Sequence, residues 1–413
     1  MNLYKLELKR LLKTKSVKIS IIFSIFITVI FSYLPIHYEK YTYIDDNKNE
    51  VEIRGLDAIL KKKNDWKLYN GDVTPEKLIQ VLNIYKQASE KYGEENFYPR
   101  SSKIPHSEYY QKIEPIKHLV NILTQVYHKK FNDITQEDIF NFYNYNTLNF
   151  NNLIKIQENH PNTIKQAEIL YSHIKTPFIY NTMSDTIVLD YIVMLIIIFT
   201  FVYAIIAAPI FANEYQTESN YIIRCTKFGG AYLAKIKILS CLTIASLTYL
   251  FCTVGFTIFF NSVFGWDICK TSSQMIYNPI ILANLNFGQV EFIIIIFGLI
   301  SLIAIVCFIL FLSNITKSIY GTTVIVIALY IISIIFLPIF PVLPSFLYTL
   351  FYIIPTGGIF ADNNFLDNLL QTIKFIHIGS FSIWLPIALF IIRLLEIPIF
   401  IYLIIYSYCK VKK

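Results

Sequence analysis

The feature that most restricts this chain is a set of apolar runs of roughly 18 to 20 residues or more, the length a helix needs to cross about 30 Å of hydrocarbon. They lie at Ile19 to Ile36, Ile187 to Phe211, Ile238 to Phe260, Phe292 to Ser313, Ile319 to Phe340 and Ile383 to Tyr406. Lipid satisfies no backbone polar group, and the ten-residue alternation of a barrel strand is missing, so each run reads as a helix. The expectation is an all-α polytopic membrane protein with six transmembrane helices.

Charge sets the expected orientation, because Lys and Arg in short loops are retained on the cytoplasmic side. Lys5, Lys9, Arg10, Lys13, Lys15 and Lys18 precede the first span; Arg224, Lys227, Lys235 and Lys237 follow the second; Lys317 follows the fourth, and Lys410, Lys412 and Lys413 close the chain. The short loops of the other face hold only Lys270 and Lys374. Both termini are therefore expected in the cytoplasm, and residues 37–186 outside the cell. That segment carries 19 basic and 20 acidic residues, a balance that argues against a nucleic-acid partner. It holds none of the six cysteines, so it is not a disulfide scaffold. The lysine-rich start reads as an uncleaved anchor, since small residues at a cleavage spacing are missing before "LPIHYEK".

Residues 1–18 fit an amphipathic helix along the inner membrane surface, with Tyr4, Leu8, Leu11 and Leu12 on one side and Lys5, Lys9 and Lys13 on another. The outer domain opens with "YTYIDDNKNEVEIRG", a hairpin pattern. Helical patterns follow: "TPEKLIQVLNIYKQASEKYG" has Thr74 as N-cap, Pro75 at the first helical position and Gly93 as stop. Two more follow, with Pro115 delaying or bending the second of the three. A mainly helical domain, α with a small β-hairpin, is thus inserted between spans one and two. Between spans five and six, residues 341–382 combine prolines with an apolar run too short to cross, which suggests a re-entrant link on the outer side.

Catalytic signatures are missing: there is no phosphate-binding G-x-x-x-x-G-K-[ST] loop, no G-x-S-x-G and no H-E-x-x-H. The histidines show no compact ligand spacing, so no metal site is expected. Charges inside spans are flags for function. Arg393 and Glu396, at i and i+3 in span six, fit either a relay or a mutually neutralising pair facing other helices. Asp190 and Glu291 sit near the outer ends of spans two and four, and no chain of titratable groups crosses the bilayer.

The polar island "FANEYQTESNYIIRCTKFGGAYLAKIKILS" separates spans two and three. Asn213, Glu214, Thr217 and Glu218 extend span two as helix, and Ser219 and Asn220 cap a short helix over residues 221–228. Tyr221, Ile222 and Phe228 offer apolar surface, Arg224 and Lys227 offer charge, and Gly229 and Gly230 return the chain to the bilayer. A short helix between two rigid spans is a handle on which a soluble motor could pull; the plain alternative is a cytoplasmic turn.

This layout, with the island and the tight "LSNITKSIYG" turn between spans four and five, resembles the permease subunit of an ATP-binding-cassette exporter of the second type. Glu214 or Glu218, Tyr221 to Phe228, Gly229 and Lys235 occupy the positions of that family's coupling segment; "YQTESN" replaces the glycine-threonine pair that commonly follows the acid. The resemblance implies a separate cytoplasmic ATPase carrying ATP and Mg, no cofactor or enzyme activity in this chain, and a second permease of the same or a homologous chain. It further implies an amphipathic peptide or lipid-like substrate, in the manner of antimicrobial peptide export or bacteriocin immunity. Two other readings stand beside it: a sensor whose outer domain binds a ligand, and a secondary transporter.

Overall fold

The structure, a computed structural model, describes residues 3–93, 103–157, 160–336, 352–357, 365–378 and 381–410. Five of its helices are long and apolar enough to cross a membrane. They are α2 (Lys15–Tyr38), α10 (Thr186–Ala207) continuing through α11 (Pro209–Gln216), α13 (Ala231–Phe264), α14 (Phe287–Thr316) and the last long helix, Leu385–Lys410. A shorter apolar helix, α15 (Ile319–Phe336), covers most of the expected fifth span; its last four residues lie outside the described part of the chain.

The bundle is built around α14, which packs on α10, α13, α15 and Leu385–Lys410. Burial follows that position: 67% of the apolar window of α14 is enclosed by protein, against 22% for α2, whose Ile19, Ile22, Phe26 and Val29 face outward. A helix apolar all round suits both places, because lipid accepts the face that protein leaves bare.

The domain after α2 starts with the expected hairpin, β1 (Lys40–Ile44) against β2 (Glu50–Arg54), with Tyr41 opposite Ile53. Next come α3 (Leu56–Asp65), the two-residue strand β3 (Gly71–Asp72) and α4 (Pro75–Tyr92). In α4 the Thr74 hydroxyl accepts from the Lys77 N–H, and the helix stops at Gly93 with φ +81°. After the short turn α5 (His106–Glu108), Tyr109–Ile113 form a π-turn and α6 (Glu114–Tyr127) begins with Pro115 in its first turn; the proline delays the helix rather than bending it. The third helical pattern divides into α7 (Gln136–Phe140), opened by a Thr135–Asp138 capping box, and α8 (Phe142–Gln157). A fourth helix, α9 (Pro161–Ser172), and β4 (Ile179–Tyr180), paired with β3, complete the domain. Leu78 and Val81 of α4, Ile116, Leu119 and Leu123 of α6, Phe142 and Phe178 form its own core, as a segment of this length allows.

Four expectations change. The N-terminal amphipathic helix is α1 (Leu3–Lys13); Thr14 breaks it, so the first span begins at Lys15 rather than Ile19. The last span begins at Leu385, two residues after Ile383, because Ile383 and Trp384 belong to a strand and Pro386 fits the first helical turn. In the link, the apolar proline-rich run lies largely outside the described residues; the described remainder includes a short helix, α16 (Phe365–Leu370), and a hairpin of β5 (Phe375–Ile378) with β6 (Phe381–Trp384), leading into α17 (Leu385–Lys410). Finally, the domain is not made from the 37–186 insertion alone. The loop between α13 and α14 lends it Met275, which sits in its core, and Ser272, which exchanges bonds with Ile179.

Candidate functional site

Two ends of the bundle hold the polar chemistry. At one end α1, the 208–230 segment and the last turn of α17 meet; the α3–α9 domain covers the other.

At the first end the break between α10 and α11 has an identifiable cause. The Ser313 hydroxyl of α14 donates to Ala208 O and accepts from Ala212 N, at 2.5 and 3.0 Å, taking the place of the direct bond between those residues. A side chain inserted into the helical ladder is a standard source of a bend, and Pro209 then restarts the helix with no N–H to satisfy. Next to the break, Glu214 forms an ion pair with Lys237 of α13, both enclosed, at 7% and 2% exposure. Lys237 Nζ also stands 5.4 Å above the Phe211 ring, and the Tyr408 hydroxyl of α17 donates to Glu214 Oε2 at 3.4 Å. Glu7 of α1 is buried, holds Arg10 through both oxygens at 2.9 and 2.5 Å, and lies near enough to Lys237 to act on its charge. Asn314 completes the cluster, accepting from the Tyr215 hydroxyl at 3.0 Å and donating to Ser407 Oγ at 2.7 Å.

From this base rises α12 (Ser219–Cys225). Glu218, exposed and left-handed at φ +53°, turns the chain into it, so Ser219 is the first helical residue rather than its cap. The helix ends at Cys225, and Lys227 and Phe228 lie in the turn that follows rather than on the expected helix. Tyr221 and Ile222 are 70% and 75% exposed, Phe228 is 54% exposed, and Lys227 Nζ sits 5.7 Å from the Phe228 ring. Arg224 belongs to α12; its side chain lies outside the described part. Gly229 is enclosed: a Cβ there would fall 1.7 Å from Ile223 O, so only glycine lets the chain pass so close to α12. Of the coupling residues expected from sequence, Glu218, Tyr221, Ile222, Lys227 and Phe228 are at the surface, and Glu214 and Gly229 are inside. Lys237, Glu7 and Ser313 are the partners that the sequence reading missed.

Arg393 and Glu396 are paired on α17, Nη1 to Oε2 at 2.6 Å, and Arg393 is fully buried. Its Nη2 also donates to the carbonyls of Tyr352 and Ile354, so the pair fastens the 352–357 segment to α17.

At the domain end Lys62 lies between Glu39 and Glu114, at 2.7 and 3.2 Å, over the rings of Trp66 and Tyr110. Lys62, Glu39, Glu114 and Tyr110 line a cavity of about 340 Å³ between the domain and the ends of α2, α10 and α13, together with Asp185, Tyr191 and Phe264. Burial pushes the Glu114 carboxyl up to about 7 against the pull of Lys62. Burial also works against the Lys62 ammonium, but the two carboxylates outweigh it and its pKa is raised. The structure brings His160 and His377 into a stack at 5.0 Å; among the described residues no group of three or more His, Cys, Asp or Glu side chains is placed to hold a metal.

In comparisons with known proteins, no protein-family model and no curated protein sequence matches the chain. Its residues alone carry any functional reading.

Proposed function

We propose that this chain is the membrane-spanning permease subunit of an ATP-driven exporter, with α12 and the turn after it as the docking element for a separate cytoplasmic ATPase that holds ATP and Mg. The supporting observation is mechanical. An exposed apolar tip, Tyr221, Ile222 and Phe228, stands on a base in which the two strands of chain leaving it are clamped together by the Glu214–Lys237 pair. A force on the tip reaches α10–α11 and α13 at once, and passes to α14 and α17 through Ser313, Asn314 and Tyr408. A plain connecting turn needs no such base, since burying two charges is costly unless they are paired.

In this reading both termini and α12 face the cytoplasm, the α3–α9 domain stands outside a bacterial cell, and a second copy or a homologue completes the path. The cargo is a peptide or another amphiphile, as in antimicrobial peptide export or resistance. The sensor reading keeps the same ATPase contact but moves no cargo, and the observation in its favour is the domain's grip on the loop before α14 and the hairpin before α17.

The test is purification of the chain from its native membrane in mild detergent, with identification of bound proteins. Recovery of a soluble ATPase, lost in Tyr221→Glu/Ile222→Glu, supports the docking element. A chain that purifies alone, under conditions that keep other transporters intact, overturns it.

A further inference from the structure

A cavity of about 880 Å³ forms a groove between α6, α8 and the loop before α14. That volume lies within the range typical of ligand sites. Gln125, Asn146, Asn149, Asn152, Asn278 and Gln371 bring six carboxamides to one groove, and among the described residues no Asp, Glu, Lys or Arg lines it.

One of these amides is left incomplete. Asn146 is 1% exposed, and its Nδ2 donates to Pro279 O at 2.9 Å and to the Tyr171 hydroxyl at 3.1 Å. A carbonyl can only accept, so the bond to Pro279 fixes which way the amide faces. Its Oδ1 is enclosed and has no donor among the described residues. Buried acceptors are normally satisfied, and this one belongs to a side chain that lines the groove, so a ligand N–H that reached it would complete it.

We infer that this groove binds an extended peptide segment through its main chain. A carboxamide carries both an acceptor and donor hydrogens, so it can meet the C=O or the N–H of a peptide unit whatever the side chains. On α8 the amides Asn146, Asn149 and Asn152 span about 9 Å at 1.5 Å per residue, with the Asn149 Nδ2 held by Val126 O, and Leu153 and Ile156 carry the same wall on to about 15 Å. That matches about four to five residues of extended chain at 3.3 Å each. Leu153 and the exposed Ile156 offer apolar contact to side chains on one side of such a strand. A sugar polymer fits less well, because pyranose rings stack on aromatic faces and Tyr277 is the lone aromatic among the lining residues.

Binding itself stands on the groove alone; that the bound peptide is the exported cargo rests on the transporter reading. The probe is a capped, fluorescein-labelled pool of uncharged hexapeptides, titrated into the full chain in detergent without ATPase. The control is the same pool N-methylated at alternate backbone amides. Saturable binding is expected, weakened tenfold or more by N-methylation and several-fold by Asn152→Ala or Gln371→Ala, whose exposed side chains leave folding unchanged; Asn146→Leu should abolish it. Absence of saturable binding, indifference to N-methylation and to both surface variants, or displacement of bound peptide by a soluble glycan oligomer would each overturn the inference. Peptide binding without a co-purifying ATPase keeps the groove and removes the transporter reading, whereas an ATPase without peptide binding does the reverse.

Discussion

Each end of the bundle buries a lysine, and the two are solved differently. Lys237 meets one carboxylate, Glu214, in an enclosed site where an aromatic ring and the Tyr408 hydroxyl complete the contact. Lys62 meets two carboxylates beside an open cavity, and one of them, Glu114, is held near neutrality by burial. The first arrangement is balanced and enclosed, and resists change; the second has one carboxyl more than its lysine balances, beside an open cavity, and responds to pH. Rigidity therefore lies beneath the exposed tip of α12, and adjustability lies where the domain meets the spans.

Removing one member of the balanced pair should have the largest effect. Lys237→Met leaves Glu214 enclosed without a cation and should cost about 3–5 kcal/mol, read as a large fall in the unfolding midpoint of the detergent-solubilised chain. The double variant Lys237→Met/Glu214→Leu should recover most of that loss, because replacing a buried pair by apolar side chains is often neutral. A double variant as weak as the single one would mean that Glu7, Arg10 and Tyr408 need the charges, and the cluster would be a network rather than a pair. Next in size is Ser313→Ala, which strips the inserted hydroxyl from the Ala208–Ala212 gap and should cost about 1 kcal/mol. If the break between α10 and α11 persists in that variant, Pro209 alone suffices to produce it.

The domain end should differ in sign as well as size. Between the ordinary carboxylate range near 4.5 and its own value of about 7, Glu114 holds a proton when folded that it releases when unfolded. Stability of the domain junction should thus fall as pH rises through that window and level off above it. Hydrogen exchange of α3 and α6 between pH 5 and 8 reads this directly, and Glu114→Gln should flatten the profile. An unchanged slope in Glu114→Gln would assign the pH dependence to another group and remove the contrast with Lys237.

The sequence reveals the frame of this molecule better than its joints. Long apolar runs, the β1–β2 hairpin and the Thr74–Pro75–Gly93 signals are local; the hairpin and the cap signals appear as read, and five of the runs fall on helices long enough to cross a membrane, with shifted ends. The joints depend on which face a residue turns. Lys235 and Lys237 are both counted as flanking charge by the loop rule, yet two residues turn about 200° on a helix, and Lys235 is exposed while Lys237 is buried. Glu7 reads as one polar residue of an interfacial helix, but the buried face of α1 includes Glu7 along with Leu11, and Leu12 points outward. Asn146 is one asparagine among many in α8, and only Pro279, 133 positions away, makes it distinctive. The β5–β6 hairpin has a local signal, since "FIHIGSFSIW" alternates apolar and polar residues around a glycine-serine pair, but it stands beside prolines and an apolar run that suggest a re-entrant helix.

The smallest effect on stability belongs to the site with the largest expected functional effect. Tyr221 and Ile222 stand out from α12 with most of their surface bare, so Tyr221→Ser/Ile222→Ser should change the unfolding free energy by about 0.5 kcal/mol or less. If an ATPase docks there, the same variant should lose the partner and any partner-dependent activity, because burying two large apolar side chains is what such a contact gains. Lys237→Met should show the reverse order in time and temperature: the partner stays bound to the folded fraction until the base melts, and release then follows unfolding. A variant pair in which both properties fall together would place the tip and its base in one cooperative unit, and the contrast between a rigid base and an exposed tip would no longer hold.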